Sequence, residues 1–358
     1  MKIAFLIQDI STQGGTERTT CCLAAEMARH GNQVCIVSVF ASEGEQPAYE
    51  LPQNVQCKFL SQAQYSLKLG IFGRIRLMLK ETKRVRECAE LQQADIIISQ
   101  KLLATTMALL SGYRHKTIAC EHYKYQMYNK AVRALRDNMY KHIRQLVVLT
   151  DNDAAEYRQR GVKQVAVIPN MISIKAEPYH GENSKIILSV GRLTEQKGYD
   201  LLLQSIKKAA PLLSGFVVHI YGDGPMRSEL EQQIKVLELE DYVKLMGYST
   251  RMSQIYSNAC FYVMSSRFEG FPMVLLEAAA AGLSIVSFNC PEGPKQLLNN
   301  GGGILVEAEN TDALADAISR MANNSNLRQQ CREQLPKIIE EYTPDNIYNK
   351  WKTLINNL

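Results

Sequence analysis

The sequence predicts an α/β chain of two doubly wound domains, and three observations carry that expectation. Short buried-type apolar runs alternate with helical segments, the rhythm of a parallel sheet with crossover helices. The rhythm pauses at residues 169–185 (PNMISIKAEPYHGENSK) and then restarts. The length, 358 residues, suits two domains that each bury a core. The expected boundaries are 1–168 for the first domain, 169–185 for a linker and 186–342 for the second.

In the first domain, KIAFLIQDI (residues 2–10) reads as a strand, STQGGTER as a loop, residues 19–29 as a helix and QVCIVSVF (33–40) as the next strand. The loop holds Gly14-Gly15 but no G-x-G-x-x-G, and no acidic residue ends the second strand. A nicotinamide-dependent oxidoreductase therefore lacks its fingerprint. A tight strand-to-helix turn and a ligand contact both remain open for the two glycines. Residues 65–88 interleave apolar residues with Lys68, Arg74, Arg76, Lys80, Lys83, Arg84 and Arg86. Ile71, Ile75, Met78 and Val85 form an apolar stripe at helical spacing, so this segment reads as an amphipathic helix suited to an anionic lipid surface, the alternative being a core-packed helix with a solvated basic face. ADIIISQ (94–100) and KTIACEHY (116–123) read as strands, the second ending in Glu121-His122, where a parallel sheet binds ligands, although a lone histidine there equally fits a structural role. A second basic run follows, with Lys124, Lys130, Arg133, Arg136, Lys141 and Arg144. After strand 145–150, Asp151-Asn152-Asp153 looks like a metal motif, but an aspartate N-cap explains it more cheaply. Residues 164–170 close the domain.

The second domain runs strand 186–193, helix 199–210, strand 215–225, a long helix, strand 242–249, a short helix and strand 259–264. The loop Ser265–Pro272 then leads into a helix at residues 273–281, with Pro272 near its start and Gly282 at its C-terminal cap. Strands at 283–288 and 302–306 and three further helical segments complete the chain.

Composition removes several alternatives. Apolar residues make up 46% of the chain with mixed charge, which suits a folded, soluble protein. No apolar run approaches a membrane span, and none reads as a signal peptide. The nine cysteines lack metal-ligand spacing and read as reduced core residues of a cytosolic protein. Residues 1–168 hold 23 Lys+Arg against 15 Asp+Glu, whereas 169–342 hold 16 against 20. The first domain thus suits an anionic partner. Its basic segments lack the stacking aromatics and module signatures of a nucleic-acid binder.

Strands of the second domain repeatedly end in ligand-suited residues: Gly191-Arg192, Gly222-Asp223-Gly224, Gly247-Tyr248 and Glu269-Gly270. In a parallel sheet these ends share one edge. Arg192, Lys197 and the N–H groups of the helix beginning near Met273 make a diphosphate site without a metal. Glu277 lies one turn inside that helix, about 6 Å along its axis. Carboxylates beside an anion site fit a ligand with hydroxyls on both sides of its phosphates, as in a nucleotide sugar.

GRLTEQKG, YGDGP and EGFPMVLLEAAAAG, with Glu269 and Glu277 eight residues apart, resemble glycosyltransferase family 4, retaining enzymes of the GT-B fold. The resemblance covers essentially the whole chain and is nearest to bacterial transferases of envelope or polyprenyl-diphosphate-linked glycans. It implies two Rossmann-like domains facing across a cleft, with residues 343–358 crossing back to the acceptor-binding first domain. It implies that Arg192 and Lys197 hold the donor diphosphate and that Glu277 holds the ribose hydroxyls. Glu269 would hold sugar hydroxyls, with Gly270, Phe271 and Pro272 shaping the pocket and Met273 offering its N–H. Gly222 would also serve the donor site, and Gly247-Tyr248 would contact the base. Gly14, Gly15 and His122 would approach the donor and its sugar from the first domain. The implied activity is metal-independent transfer of a hexose or N-acetylhexosamine from a UDP-sugar to a lipid-linked glycan, with an α-linkage, as in O-antigen or capsule assembly. No cofactor is expected, and the enzyme would lie on the inner face of the membrane. The alternative is a non-catalytic nucleotide-sugar or glycan-binding protein on the same scaffold.

Overall fold

The computed structural model describes residues 1–63, 70–123, 125–175, 177–291, 293–299 and 301–358. The chain forms two compact units, Met1–Met171 with Pro344–Leu358, and Ile172–Thr343.

Unit 1 is built on seven strands: β1 (Lys2–Asp9), β2 (Gln33–Phe40), β3 (Val55–Phe59), β4 (Ile96–Gln100), β5 (Thr117–Cys120), β6 (Gln145–Val148) and β7 (Val165–Val167). Their order is β3-β2-β1-β4-β5-β6-β7, and every ladder is parallel. Strands β4, β5 and β6 are buried along their whole length, which is why they read as unbroken apolar runs. β3 was not expected from the sequence. It lies at the sheet edge, and Gln56 and Lys58 interrupt its apolar pattern. The first helix spans Gly15–Arg29, four residues longer at its start than expected. Its early threonines are helical because Thr16, Thr19 and Thr20 are buried and the Thr20 hydroxyl donates to the Thr16 carbonyl at 2.7 Å. The helix Pro344–Asn356 belongs to this unit, with Ile347, Tyr348 and Trp351 buried in the same cluster as Phe5, Leu23 and Met27.

Unit 2 repeats the plan with β8 (Ile186–Val190), β9 (Val217–Tyr221), β10 (Val243–Gly247), β11 (Phe261–Met264), β12 (Ile285–Phe288) and β13 (Gly303–Val306), in the order β10-β9-β8-β11-β12-β13. Its core gathers Leu202, Ile206, Val218, Phe261, Val286, Phe288 and Ile318. The segment expected as a linker is instead largely part of this unit. The Tyr179 hydroxyl donates to the Cys260 carbonyl at 3.1 Å, and the His180 N–H to the Ser257 carbonyl at 2.8 Å. The Asp151–Gln159 helix is capped by Thr150, not by an aspartate; the Thr150 hydroxyl oxygen accepts from the Asp153 N–H.

Sheet order decides where the loops meet. In each unit it reverses beside the first strand, between β1 and β4 and between β8 and β11, so the loops leaving those strands diverge and open a crevice. In unit 2 the crevice floor is tight. Gly198 sits in the left-handed region at φ 62°, and a Cβ there would lie 2.1 Å from the Ser265 carbonyl oxygen. Gly198→Ala should therefore lower stability by at least about 2 kcal/mol, through backbone strain and steric clash. Urea unfolding measures this, and a wild-type midpoint would show that the two loops separate freely.

Candidate active site

The crevice of unit 2 is formed by the loop after β8 and the loop after β11. They are fastened by backbone and side-chain bonds together. The Arg267 N–H donates to the Gln196 carbonyl at 2.8 Å, the Gln196 amide to the Phe268 carbonyl at 3.0 Å, and the Ser265 hydroxyl to the Lys197 carbonyl at 3.0 Å. Arg267 forks onto Asp200 at 2.8 and 2.7 Å and reaches the Glu195 carbonyl at 2.9 Å. That fork holds the Asp200 carboxyl below its usual range.

Within this frame the Lys197 ammonium lies 2.8 Å from Glu269 Oε1, which also accepts from the Ser266 hydroxyl at 2.6 Å. Glu269 is buried at 5% exposure, so its charge needs these partners. Lys197 is thus paired with Glu269 rather than standing as a separate cation. Arg192 is exposed at the end of β8, and its guanidinium makes no hydrogen bond or ion pair among the described residues.

The helix after the β11 loop spans Met273–Ala280 and ends with Gly282 at φ 77°. Pro272 precedes its first turn instead of entering it. The Met273 N–H, expected as a ligand donor, is already taken by the Phe271 carbonyl at 2.9 Å. Val274 is the first-turn residue whose N–H has no backbone acceptor among the described residues. Glu277 is buried, and its two oxygens accept from the Ser173 hydroxyl and the Tyr256 hydroxyl, each at 3.0 Å. Phe271 packs against Tyr342 with ring centroids 5.8 Å apart, and the ring of Pro272 lies against Gly293.

The other strand ends do converge. The Gly191 N–H reaches the Tyr221 carbonyl at 2.9 Å, Leu193 N–H the Asp223 carbonyl at 2.9 Å, and Gly222 N–H the Gly247 carbonyl at 2.8 Å. Gly222 has φ 131°, and a Cβ on it would sit 2.1 Å from the Gly191 carbonyl oxygen. This close backbone approach accounts for Gly222 without a ligand. Tyr248 is 61% exposed.

In unit 1, Gly14 is extended, and a Cβ would meet a Glu17 carboxylate oxygen at 2.2 Å; Gly15 faces open space. His122 lines a cavity with Thr19, Thr20, Gln100, Cys120 and Trp351. Its Nε2 lies 2.6 Å from Gln100 Oε1. Burial, helped by the Lys101 charge, pushes the imidazole down to about 3, so it is neutral at neutral pH. A base that weak serves as a hydrogen-bond acceptor better than as a proton acceptor.

Beside it, Glu121 is buried and accepts from the Tyr140 hydroxyl. Burial raises its carboxyl to about 7, against the opposing effects of the Tyr140 bond and the Arg136 charge. Arg136, one of the second basic run, is fully buried, with its guanidinium carbon 4.6 Å from the Tyr125 ring centroid and 4.7 Å from that of Tyr157.

The basic helix spans Ile71–Glu87; Lys68 falls outside the described residues. The expected apolar stripe divides. Val85 is buried and Met78 packs on the core, whereas Ile75 is exposed at 46% beside exposed Arg76, Lys80 and Lys83; the Ile71 side chain lies outside the described residues, and Leu79, not part of that stripe, is exposed at 56%. Arg84 pairs with buried Glu81 at 3.0 Å, and Arg74 is partly buried. Among the described residues, Glu26, His30 and Asp345 cluster closely enough to hold a metal, but Arg29 bonds both carboxylates.

Two family models match the chain: Glycosyltransferase Family 4 over residues 13–176 and Glycosyl transferases group 1 over residues 171–337. The chain belongs to these glycosyltransferases. It is 29% identical to an uncharacterized glycosyltransferase of Haemophilus influenzae and 28% identical to the amylovoran biosynthesis glycosyltransferase AmsD of Erwinia amylovora, with 99% of every chain covered. It is 27% identical to a Campylobacter jejuni α-1,4-N-acetyl-D-galactosaminyltransferase named for a diNAcBac-PP-undecaprenol-linked acceptor, over 99% of this chain and 98% of that one. Its fold, GT-B, matches the crystal structure of TarM at TM-score 0.81 and 16% identity, covering 99% of both chains. It also matches Anabaena HepE in complex with UDP and glucose at TM-score 0.76 and 17% identity, covering 100% of both.

Sequence reasoning about this glycosyltransferase missed Arg267, Asp200, Ser266, Gln100 and Lys101. Four of them share a signal of position, since Gln100-Lys101 and Ser266-Arg267 end or follow strands next to the order reversal in their sheets, whereas Asp200 lies on the Tyr199–Ala209 helix. One outcome follows from the raised Glu121 carboxyl. Its stabilising contribution is complete below the usual carboxylate range and is lost as pH rises through about 7. Glu121→Gln should therefore gain in melting temperature relative to the wild type as pH rises from about 5 to about 8. A constant difference across that range would show that Glu121 is ionised throughout.

Proposed function

We propose that the chain is a retaining transferase that moves a hexose or N-acetylhexosamine from a UDP-sugar onto a lipid-linked or envelope glycan. The observation that carries this is the Lys197–Glu269 pair beside Arg192 in the unit 2 crevice, with the buried Glu277 carboxylate on the adjoining helix. Cleavage of the sugar–diphosphate bond puts negative charge on the leaving group and cationic character on the anomeric carbon. Arg192 and Lys197 answer the first charge without calling on a metal, and Glu269 lies where the second forms. Glu277 offers two carboxylate oxygens to two ribose hydroxyls. Gly270, Phe271 and Pro272 bound the sugar pocket, and Gly247-Tyr248 flanks the base. The acceptor oxygen attacks the face that the diphosphate leaves, and its proton passes to a diphosphate oxygen. Configuration is therefore kept.

UDP in a HepE complex supports the nucleotide, and the polyprenyl-linked acceptor named for the Campylobacter relative supports the acceptor class. The outward face of the Ile71–Glu87 helix, with Ile75 and Leu79 among Arg76, Lys80 and Lys83, suits insertion at an anionic lipid surface. No helix among the described residues is long and apolar enough to cross a membrane. We assign the enzyme to the cytoplasmic face, bound peripherally.

Lys197→Ala should lower turnover by about 10²–10³ with the circular dichroism of a folded protein; near-normal turnover refutes the assigned diphosphate site. The product formed from a UDP-α-sugar should show an α anomeric proton coupling by NMR, and a β coupling refutes retention.

A further inference from the structure

We propose that Gln100 is a positioning residue that fixes His122 as its Nε2–H tautomer, leaving Nδ1 as the ring's acceptor for a sugar hydroxyl. The role of that acceptor rests on the transferase reading above; the tautomer does not.

The geometry is specific. Gln100 is the last residue of β4 and pairs in register with Cys120, two residues before His122 on the next strand. It is 2% exposed, so its amide cannot turn to solvent. Oε1 lies 2.6 Å from His122 Nε2, and a carboxamide oxygen only accepts, so with the amide in this orientation the shared hydrogen belongs to Nε2. No other hydrogen bond to the ring forms among the described residues, and the ring borders the unit 1 cavity.

The next residue strengthens the arrangement. Lys101 has φ 63°, an uncommon conformation for a side-chain-bearing residue, at the order reversal of the sheet. Its ammonium is 3.4 Å from Glu17 Oε1 and 5.3 Å from the Tyr123 ring centroid. The charged groups around the ring are therefore Lys101, on the helix after β4, and Glu17, on the first helix, which pairs with it. Glu121, on the ring's own strand end, bonds Tyr140, and the Cys120 thiol is pushed up by burial. Lys101 and burial both disfavour an imidazolium, which would turn Nδ1 from acceptor to donor. Gln100 sets which nitrogen keeps the proton.

The test uses full-length protein labelled with ¹⁵N-histidine, with His122 assigned from the signal lost in His122→Asn. At about pH 7, long-range ¹H–¹⁵N spectra should show Nε2 protonated and Nδ1 bare, unchanged down to about pH 5. Gln100→Glu should move His122 protonation toward neutral pH and give turnover an acid limb that the wild type lacks, with donor KM within about twofold. Gln100→Leu should give a mixture of tautomers. An Nδ1–H or charged ring in the wild type at neutral pH overturns the proposal, as does a Gln100→Glu protein with an unchanged spectrum and profile. If the tautomer is as inferred but His122→Ala transfers sugar at the wild-type rate, the sugar-contact role fails and the positioning stands.

Discussion

A buried carboxylate in a narrow crevice must be compensated, and the ion pair between Lys197 and Glu269 meets that constraint in unit 2. Its two members come from different loops, so compensation and loop attachment are one event. The Arg267–Asp200 fork and the contact of Gly198 with the Ser265 carbonyl hold the same loops further along. The result is a cross-braced floor on which cationic and anionic groups are held by one another. Preorganisation of this kind is what makes electrostatic stabilisation of a leaving group effective.

Unit 1 handles its buried charge differently. Glu121 and Arg136 both lie out of solvent, yet Glu121 Oε2, Arg136 Nε and Nη1 and the Tyr157 hydroxyl make no hydrogen bond among the described residues. Tyrosine faces, not carboxylates, supply most of the environment of the guanidinium. Here burial dominates over pairing, which is why the Glu121 carboxyl and the His122 imidazole both favour their neutral forms. Two similar sheets thus support opposite electrostatic regimes at corresponding edges.

The strand–helix rhythm was legible because central parallel strands are buried on both faces and read as continuous apolar runs. β3 escaped because an edge strand tolerates Gln56 and Lys58. Glycine turns and the cationic residues at the ends of the unit 2 strands were legible as a cluster, since a parallel sheet puts all such ends on one edge. Their pairing was not. Lys197 meets Glu269 only because β8 lies next to β11, a fact of strand order that no local pattern encodes. The burial of Arg136 was hidden for a related reason: within its helix it looks like one basic residue among several, and the tyrosines that enclose it come from two other segments, 125–128 and the Asp151–Gln159 helix. Met273 was misread because a tight turn at Phe271 consumes the N–H that a regular helix start would leave unbonded.

Glu277 has a consequence of its own. Its oxygens already hold two protein hydroxyls, one of them from Ser173, just after the chain enters unit 2 at Ile172. The carboxylate is therefore never bare. Any further hydrogen-bond donor arriving there joins or exchanges with existing donors and does not strip water from a naked anion, so recognition becomes a swap between near-equivalent partners. Affinity in such a socket is set by how well the newcomer matches the residents, and the polypeptide itself competes for the seat.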